Sequence, residues 1–265
     1  MSTMSTTSTI SVRVDLSNPG QFFACCGLLE LASKFAPEAE GWFEGDRFKF
    51  TSAASLKEIL RAVHDSRLVP VDAETPTTSP LLLPSPFNLS IDWWLDTRAG
   101  GSMFKTWAGQ QKVVSIAMAM QSAIDAESLD EESLFNVCGV LYDGEGRKVE
   151  PFYLDARRAA QSHSLDVGFS PDAQKMLMPV YAAVEFLCLI GLQRCRPTFD
   201  REHDDFVYCA WSTPLSISIA SAAAAGLTAC PGSRFKFRLL YRTKYLKGFL
   251  PATRITTRDG DTCNG

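Results

Sequence analysis

One run limits the possible folds of this chain more than any other. Phe22 to Ala32 reads Phe-Phe-Ala-Cys-Cys-Gly-Leu-Leu-Glu-Leu-Ala and is apolar almost all the way round a helical wheel. A helix with no broad polar face cannot lie on a surface, so it must be buried on most of its sides. Its start is marked: Asn18 supplies a helix N-cap and Pro19 takes the first helical position, where a missing N–H costs nothing. Ala24, Cys25, Cys26 and Gly27 present so little side chain that another backbone can approach closely. With 265 residues, the chain is long enough to build the surrounding core.

The elements around that helix are of both kinds. Ile10, Val12, Val14 and Leu16 alternate with polar residues, as in a strand with one buried face. Trp42-Phe43 and Arg47 to Phe50 read as short strands around the turn Glu44-Gly45-Asp46. Ser55 and Glu58 form a capping box for an amphipathic helix reaching His64. Phe87 to Trp93 alternates as a strand, a helix runs to about Ala123, and Phe152 to Leu154 is strand-like. Pro179 to Leu192 reads as an apolar helix, Phe206 to Trp211 as a strand and Ile217 to Leu227 as an Ala-rich helix. Strands and helices mix without strict alternation, so the expected class is α+β: a mixed sheet with packed apolar helices, more helical in the second half. Residues 1–9 read as a disordered lead-in, 10–258 as a single α+β domain and 259–265 as a disordered tail. Val69 to Pro86 carries five prolines, with Leu81 to Leu83 anchoring it to the surface. If the domain has two lobes, the division falls in this segment, 69–86.

Composition excludes several classes of function. No window approaches the roughly 18 uninterrupted apolar residues of a membrane span, and the Ser/Thr-rich start lacks the basic and apolar regions of a signal peptide. The expected location is the cytoplasm, with no membrane partner. The eight cysteines include no C-x-x-C and sit mostly among apolar residues, so they read as small hydrophobes, neither disulfides nor metal ligands. The three histidines leave little for catalysis. His203, in Glu202-His203-Asp204-Asp205, suggests a small metal-dependent hydrolase but reads better as a charged loop, and His163 lies among triad residue types with no nucleophile elbow. Neither a Walker-type loop nor a G-x-G-x-x-G is present, so no cofactor is expected. The chain is read as a non-enzyme without a metal site.

What remains is charge placement. There are 26 Lys and Arg against 30 Asp and Glu, yet eight of the cations and none of the carboxylates fall between Ser233 and Arg258, leaving 18 against 30 elsewhere. Phe235, Phe237, Leu239 and Tyr241 alternate with Arg234, Lys236 and Arg238, followed after Leu240 by Arg242 and then Lys244. On a strand this gives an apolar face and a row of cations about 7 Å apart. A polyanion would read such a row, but an edge strand also uses Lys and Arg to discourage pairing, and the strand alone leaves both open. A second candidate is Lys105-Thr106-Trp107-Ala108-Gly109-Gln110-Gln111-Lys112, which combines two cations, a stacking aromatic and paired amides where a helix begins. Its other reading has Trp107 plugging the core and Gln110 and Gln111 capping the helix. Arg157 and Arg158 form a third cationic point, either paired with Asp155 or gripping phosphate.

Together, Asn18 to Ala32, Phe104 to Gln111, Asp166 to Pro171 and Tyr241 to Phe249 resemble the short large-subunit ("Cas eight") family of type I-U, also called I-G, CRISPR systems. The likeness runs from about Asn18 to Ala252, and the Lys105 to Gln110 string is its most specific part. The resemblance implies a non-catalytic subunit of an antiviral surveillance complex of the Cascade kind. Its partners would be CRISPR RNA, target double-stranded DNA, backbone and guide-processing subunits, and a helicase-nuclease recruited after target binding. Protein in such complexes reads a flanking motif and nucleic-acid backbone, while base pairing reads sequence. On this reading Lys105, Trp107, Gln110, Gln111 and Lys112 lie near the flanking motif or the opened strand. Arg157, Arg158, Arg234, Lys236, Arg238, Arg242 and Lys244 hold phosphates. The alternative is a structural adaptor whose basic strand binds an acidic protein.

Overall fold

The computed structural model describes residues 8–72, 74, 79–95, 112–157, 179–242 and 245–256, apart from the side chains of 241–247. Its elements are β1 (Ser8–Arg13), α1 (Pro19–Phe35), β2 (Glu40–Glu44), β3 (Arg47–Ser52), α2 (Leu56–Asp65), β4 (Val69–Pro70), β5 (Leu81–Leu83), β6 (Leu89–Ile91) and α3 (Val113–Ser122). There follow α4 (Ala182–Gly191), β7 (Thr198–Asp200), β8 (Asp205–Trp211), β9 (Leu215–Ser216), α5 (Ile217–Ala224), β10 (Gly232–Phe237), β11 (Leu239–Arg242), β12 (Tyr245–Phe249) and β13 (Thr253–Ile255). Helices packed on several small antiparallel sheets make this an α+β protein. Among the described residues α1, α2 and α3 precede the midpoint and α4 and α5 follow it.

The helix α1 is the centre. Asn18 caps it by accepting from the Gly20 N–H at 3.0 Å, and Pro19 follows at the first position. The helix stops at Ala36, which is extended (φ −145°, ψ 108°) because Pro37 disfavours a helical residue before it. Every residue from Pro19 to Ala32 is buried. Against α4 the backbones nearly touch: a Cβ on Gly27 would lie 2.1 Å from the Leu187 carbonyl oxygen, and one on Gly191 1.9 Å from that of Phe23. The small residues therefore buy a helix–helix contact closer than larger side chains permit. Arg194, just past α4, bonds Glu30 of α1 through Nε (2.5 Å), and Lys34 pairs with the same carboxylate (3.1 Å).

Two four-stranded sheets enclose α1. Sheet 1 has the order β1-β3-β2-β9 and sheet 2 the order β13-β10-β8-β7, antiparallel at each pairing. Since β3 lies antiparallel between β1 and β2, the unit β1-α1-β2 is a split crossover with α1 on the inner face. Phe22 joins the layers, its ring 5.2 Å from Phe43 of sheet 1 and 4.4 Å from Tyr208 of sheet 2. The Trp211 indole N–H donates to the Gly41 carbonyl (2.6 Å) and the Tyr208 hydroxyl to that of Leu16 (2.5 Å), so the polar ends of both rings are satisfied across the layers.

The capping box at Ser55 and Glu58 is formed in both directions. Leu81 and Leu83 of the Pro-rich segment are wholly buried in the continuous apolar core, not laid on the surface. They sit on β5, the middle strand of the small sheet β4-β5-β6, and alternation puts both on the face packed against the core while Leu82, on the other face, is half-buried. No helix among the described residues is long and apolar enough to cross a membrane.

Candidate nucleic-acid interface

The basic strand keeps its expected alternation over β10. Phe235 and Phe237 are buried, Phe235 stacked on Tyr208 (5.4 Å, 12°) and Phe237 against Phe206 and Phe249 (5.6 and 5.1 Å). Arg234, Lys236 and Arg238 are exposed on the other face. Two parts of the sequence reading change. First, β10 is hydrogen-bonded to β8 on one side and β13 on the other, so it is an interior strand and has no edge for its cations to protect. Second, the strand does not run on to Lys247. It ends at Phe237, and Leu239 opens the separate hairpin β11–β12, with a register shift between Leu240 and Tyr241. The adjacent leucines break the period of two. Arg242 thus lies opposite Tyr245 in another sheet, away from the β10 row, and Lys244 lies outside the described residues.

Register defines the rest of that outer face. Cys209 and Ile255 flank Arg234, and Val207 and Thr253 flank Lys236, giving low, uncharged surroundings. Burial pushes the Cys209 thiol up while the guanidinium of Arg234 draws it the other way. Asp205, where β8 begins, accepts from Arg238 Nε at 2.6 Å and pairs with Lys236 Nζ at 3.2 Å. Its side chain is only 5% exposed. Burial alone would raise this carboxyl, but the hydrogen bonds from Arg238 and Lys236 outweigh it and hold Asp205 below the usual aspartate value. The next carboxylate on the face, Asp200, holds His203 Nδ1 instead (2.9 Å). Among the described residues no carboxylate lies within ion-pair distance of Arg234. A shallow pocket of about 230 Å³ opens beside the row, lined by Asp205, Lys236, Arg238, Leu250, Pro251 and Thr253 among others.

Arg157 has structural partners. Its guanidinium grips Asp155 (Nε–Oδ1 3.0 Å, Nη2–Oδ2 2.6 Å), donates to the Phe135 carbonyl (2.7 Å) and to Asn136 Oδ1 (3.3 Å), and lies 3.3 Å over the Tyr181 ring. Asp155 is fully buried and also accepts from Asn18 Nδ2, so Arg157 ties this loop to the cap of α1. Most of its donors are occupied, which leaves little for a phosphate. Lys112 is exposed at the N-cap of α3, with no side-chain cap bond. Lys105, Trp107, Gln110, Gln111, Arg158 and His163 lie outside the described residues. His203 sits exposed in the turn between β7 and β8, and among the described residues no cluster of three or more His, Cys, Asp or Glu could hold a metal.

Sheet 1 offers a contrasting outer face that sequence reasoning missed. Arg13, Arg47 and Lys49 lie on it, and each has its own carboxylate: Arg13 pairs with Asp46 (3.6 Å), Arg47 with Glu132 (2.5 Å) and Lys49 with Glu44 (2.7 Å). Glu44 is held low by the hydrogen bond and charge of Lys49. Alternation in Arg47 to Phe50 was a usable signal for the outward cations; Glu132, far away in sequence, was not.

No family model, curated protein or solved structure matches the chain.

Proposed function

We propose that this chain is a non-catalytic subunit of a cytoplasmic, CRISPR-RNA-guided antiviral surveillance complex, in which the outer face of sheet 2 contacts the phosphate backbone of target DNA or guide RNA. One observation supports the contact above the rest: three exposed cations line up along an interior strand and its C-terminal end in an otherwise acidic protein, two of them sharing the single carboxylate Asp205 and Arg234 having none among the described residues. Edge protection does not account for them, and self-pairing leaves positive charge over. The residue strings at Asn18 to Ala32 and Lys105 to Gln110 support the class of complex. In the same proposal Lys105, Trp107, Gln110, Gln111 and Lys112 lie near the flanking motif or the opened strand, and other subunits and a helicase-nuclease cover further surface.

The test is charge reversal at Arg234, Lys236 and Arg238 to Glu in the assembled complex. Target binding should weaken at least about tenfold at low salt, and the salt dependence should become shallower by about 0.9 in log–log slope per lost phosphate contact. Arg234→Glu alone should melt near wild type. The triple variant should melt lower because Lys236 and Arg238 are the partners of buried Asp205, so its binding is compared at a temperature where it is folded. Unchanged binding would falsify the contact. Intact nucleic-acid binding with loss of a protein subunit would instead make the face a docking surface for an acidic partner.

A further inference from the structure

We propose that Asp205 limits how strongly the β10 row holds a polyanion, by keeping two of its three cations on an internal carboxylate. The inference rests on the phosphate-contact reading above and concerns the regulation of that same face.

Asp205 stands almost out of water, with a side chain 5% exposed. A carboxylate so placed is costly unless cations and donors surround it, and Arg238 Nε and Lys236 Nζ supply that surround at 2.6 and 3.2 Å. A second Arg238 nitrogen, Nη2, is held by the His203 carbonyl at 3.1 Å, so the guanidinium is fixed from two sides. An arriving phosphate offers Lys236 and Arg238 the same kind of charge-assisted bond they already make. Exchanging one for the other would leave Asp205 buried and unpaired, so the exchange yields little. Arg234 has no such competitor among the described residues and is the contact free to displace a counterion. Among the described residues the strand neighbours of Arg234 and Lys236 are Cys209, Ile255, Val207 and Thr253, none of them aromatic, so they add no base stacking to the phosphate term. The wild-type face therefore behaves as about one phosphate contact on duplex DNA, and the face freed of Asp205 as about three.

The experiment measures binding of the full chain to a random-sequence DNA duplex across about 50 to 200 mM salt, for wild type and Asp205→Asn. The wild-type log–log slope should be about −0.9, and that of Asp205→Asn should approach about −2.7. Over that salt range the wild type should lose about 3.5-fold in affinity and the variant about 40-fold, the variant binding tighter at the low-salt end. Adding Lys236→Met and Arg238→Met to Asp205→Asn should restore the wild-type slope. An unchanged or shallower slope for Asp205→Asn would overturn the proposal, because Asp205 would then position the two cations for the ligand. If Asp205→Asn fails to fold by thermal melting, Lys236→Met alone, which leaves Arg238 on Asp205, decides the matter. A loss under about twofold supports the proposal, and a loss as large as that of Arg234→Met defeats it. Absence of binding by both wild type and Asp205→Asn would strike at the phosphate contact itself, a result separate from any difference between them.

Discussion

The outer faces of the two sheets carry the same number of cations and use them differently. On sheet 1 Arg13, Arg47 and Lys49 meet Asp46, Glu132 and Glu44 one to one. On sheet 2 Lys236 and Arg238 share Asp205, and Arg234 has no carboxylate within ion-pair distance among the described residues. Exposed pairs such as those of sheet 1 contribute little to stability and leave little field beyond the surface. A cation such as Arg234, with no carboxylate in reach among the described residues, projects charge beyond the surface. A count of Lys and Arg is thus a poor guide to a binding face, and the count of carboxylates within reach is the better one.

The largest expected effect removes the ground on which both faces stand. Gly191→Ala would drive a Cβ into the Phe23 carbonyl oxygen across the α1–α4 contact, backbone against backbone. It should cost at least about 3 kcal/mol in urea denaturation, the upper end of what overpacking usually costs. A variant with wild-type stability would show that this contact is not what holds the two sheets around α1. Next in size is the reversal of Arg234, Lys236 and Arg238, which should abolish most of the sheet 2 contribution to binding. A gain of function then probes the other side of the comparison. Glu44→Gln with Glu132→Gln frees Lys49 and Arg47, and duplex binding should acquire about 1.8 of additional salt slope. If it does not, charge surplus is not what separates the faces.

The smallest effect concerns acid. Asp205 and Glu44 are both held below their ordinary values, by Arg238 and Lys236 against burial in one case and by Lys49 in the other. In each case the unfolded chain binds the proton more readily, so the stabilisation is complete above the unfolded value near about pH 4 and is lost as pH falls through the folded value. Melting temperature followed from neutral pH downward should therefore drop in acid. Asp205→Asn should flatten that limb more than Glu44→Gln, since the Asp205 side chain is 5% exposed and that of Glu44 64%. Equal flattening would show that burial does not distinguish the two carboxylates.

Much of the frame could be read directly. The cap at Asn18, the stop before Pro37, the capping box at Ser55 and the alternation of β10 are local, set by residues within a few positions of one another. The burial of α1 follows because a helix apolar on every side has only the interior to occupy. Partners distant in sequence could not be read. Leu81 and Leu83 looked like surface anchors because the prolines around them hide a short strand, one face of which packs into the core. Pairing with Asp155 was one of two readings of Arg157, and what the sequence could not supply were its further partners Phe135, Asn136 and Tyr181, which come from other segments.

The same division runs through the candidate interface. Period two was enough to place Phe235 and Phe237 on one side of β10 and Arg234, Lys236 and Arg238 on the other, because a strand alternates whatever surrounds it. Whether that strand was an edge, and how many of its cations stayed unmatched, depended on β8 and β13 lying to either side and on Asp205 arriving from β8, 33 residues before Arg238. Alternation is a property of one strand. Electrostatic balance belongs to the sheet, and only the folded chain brings its members together.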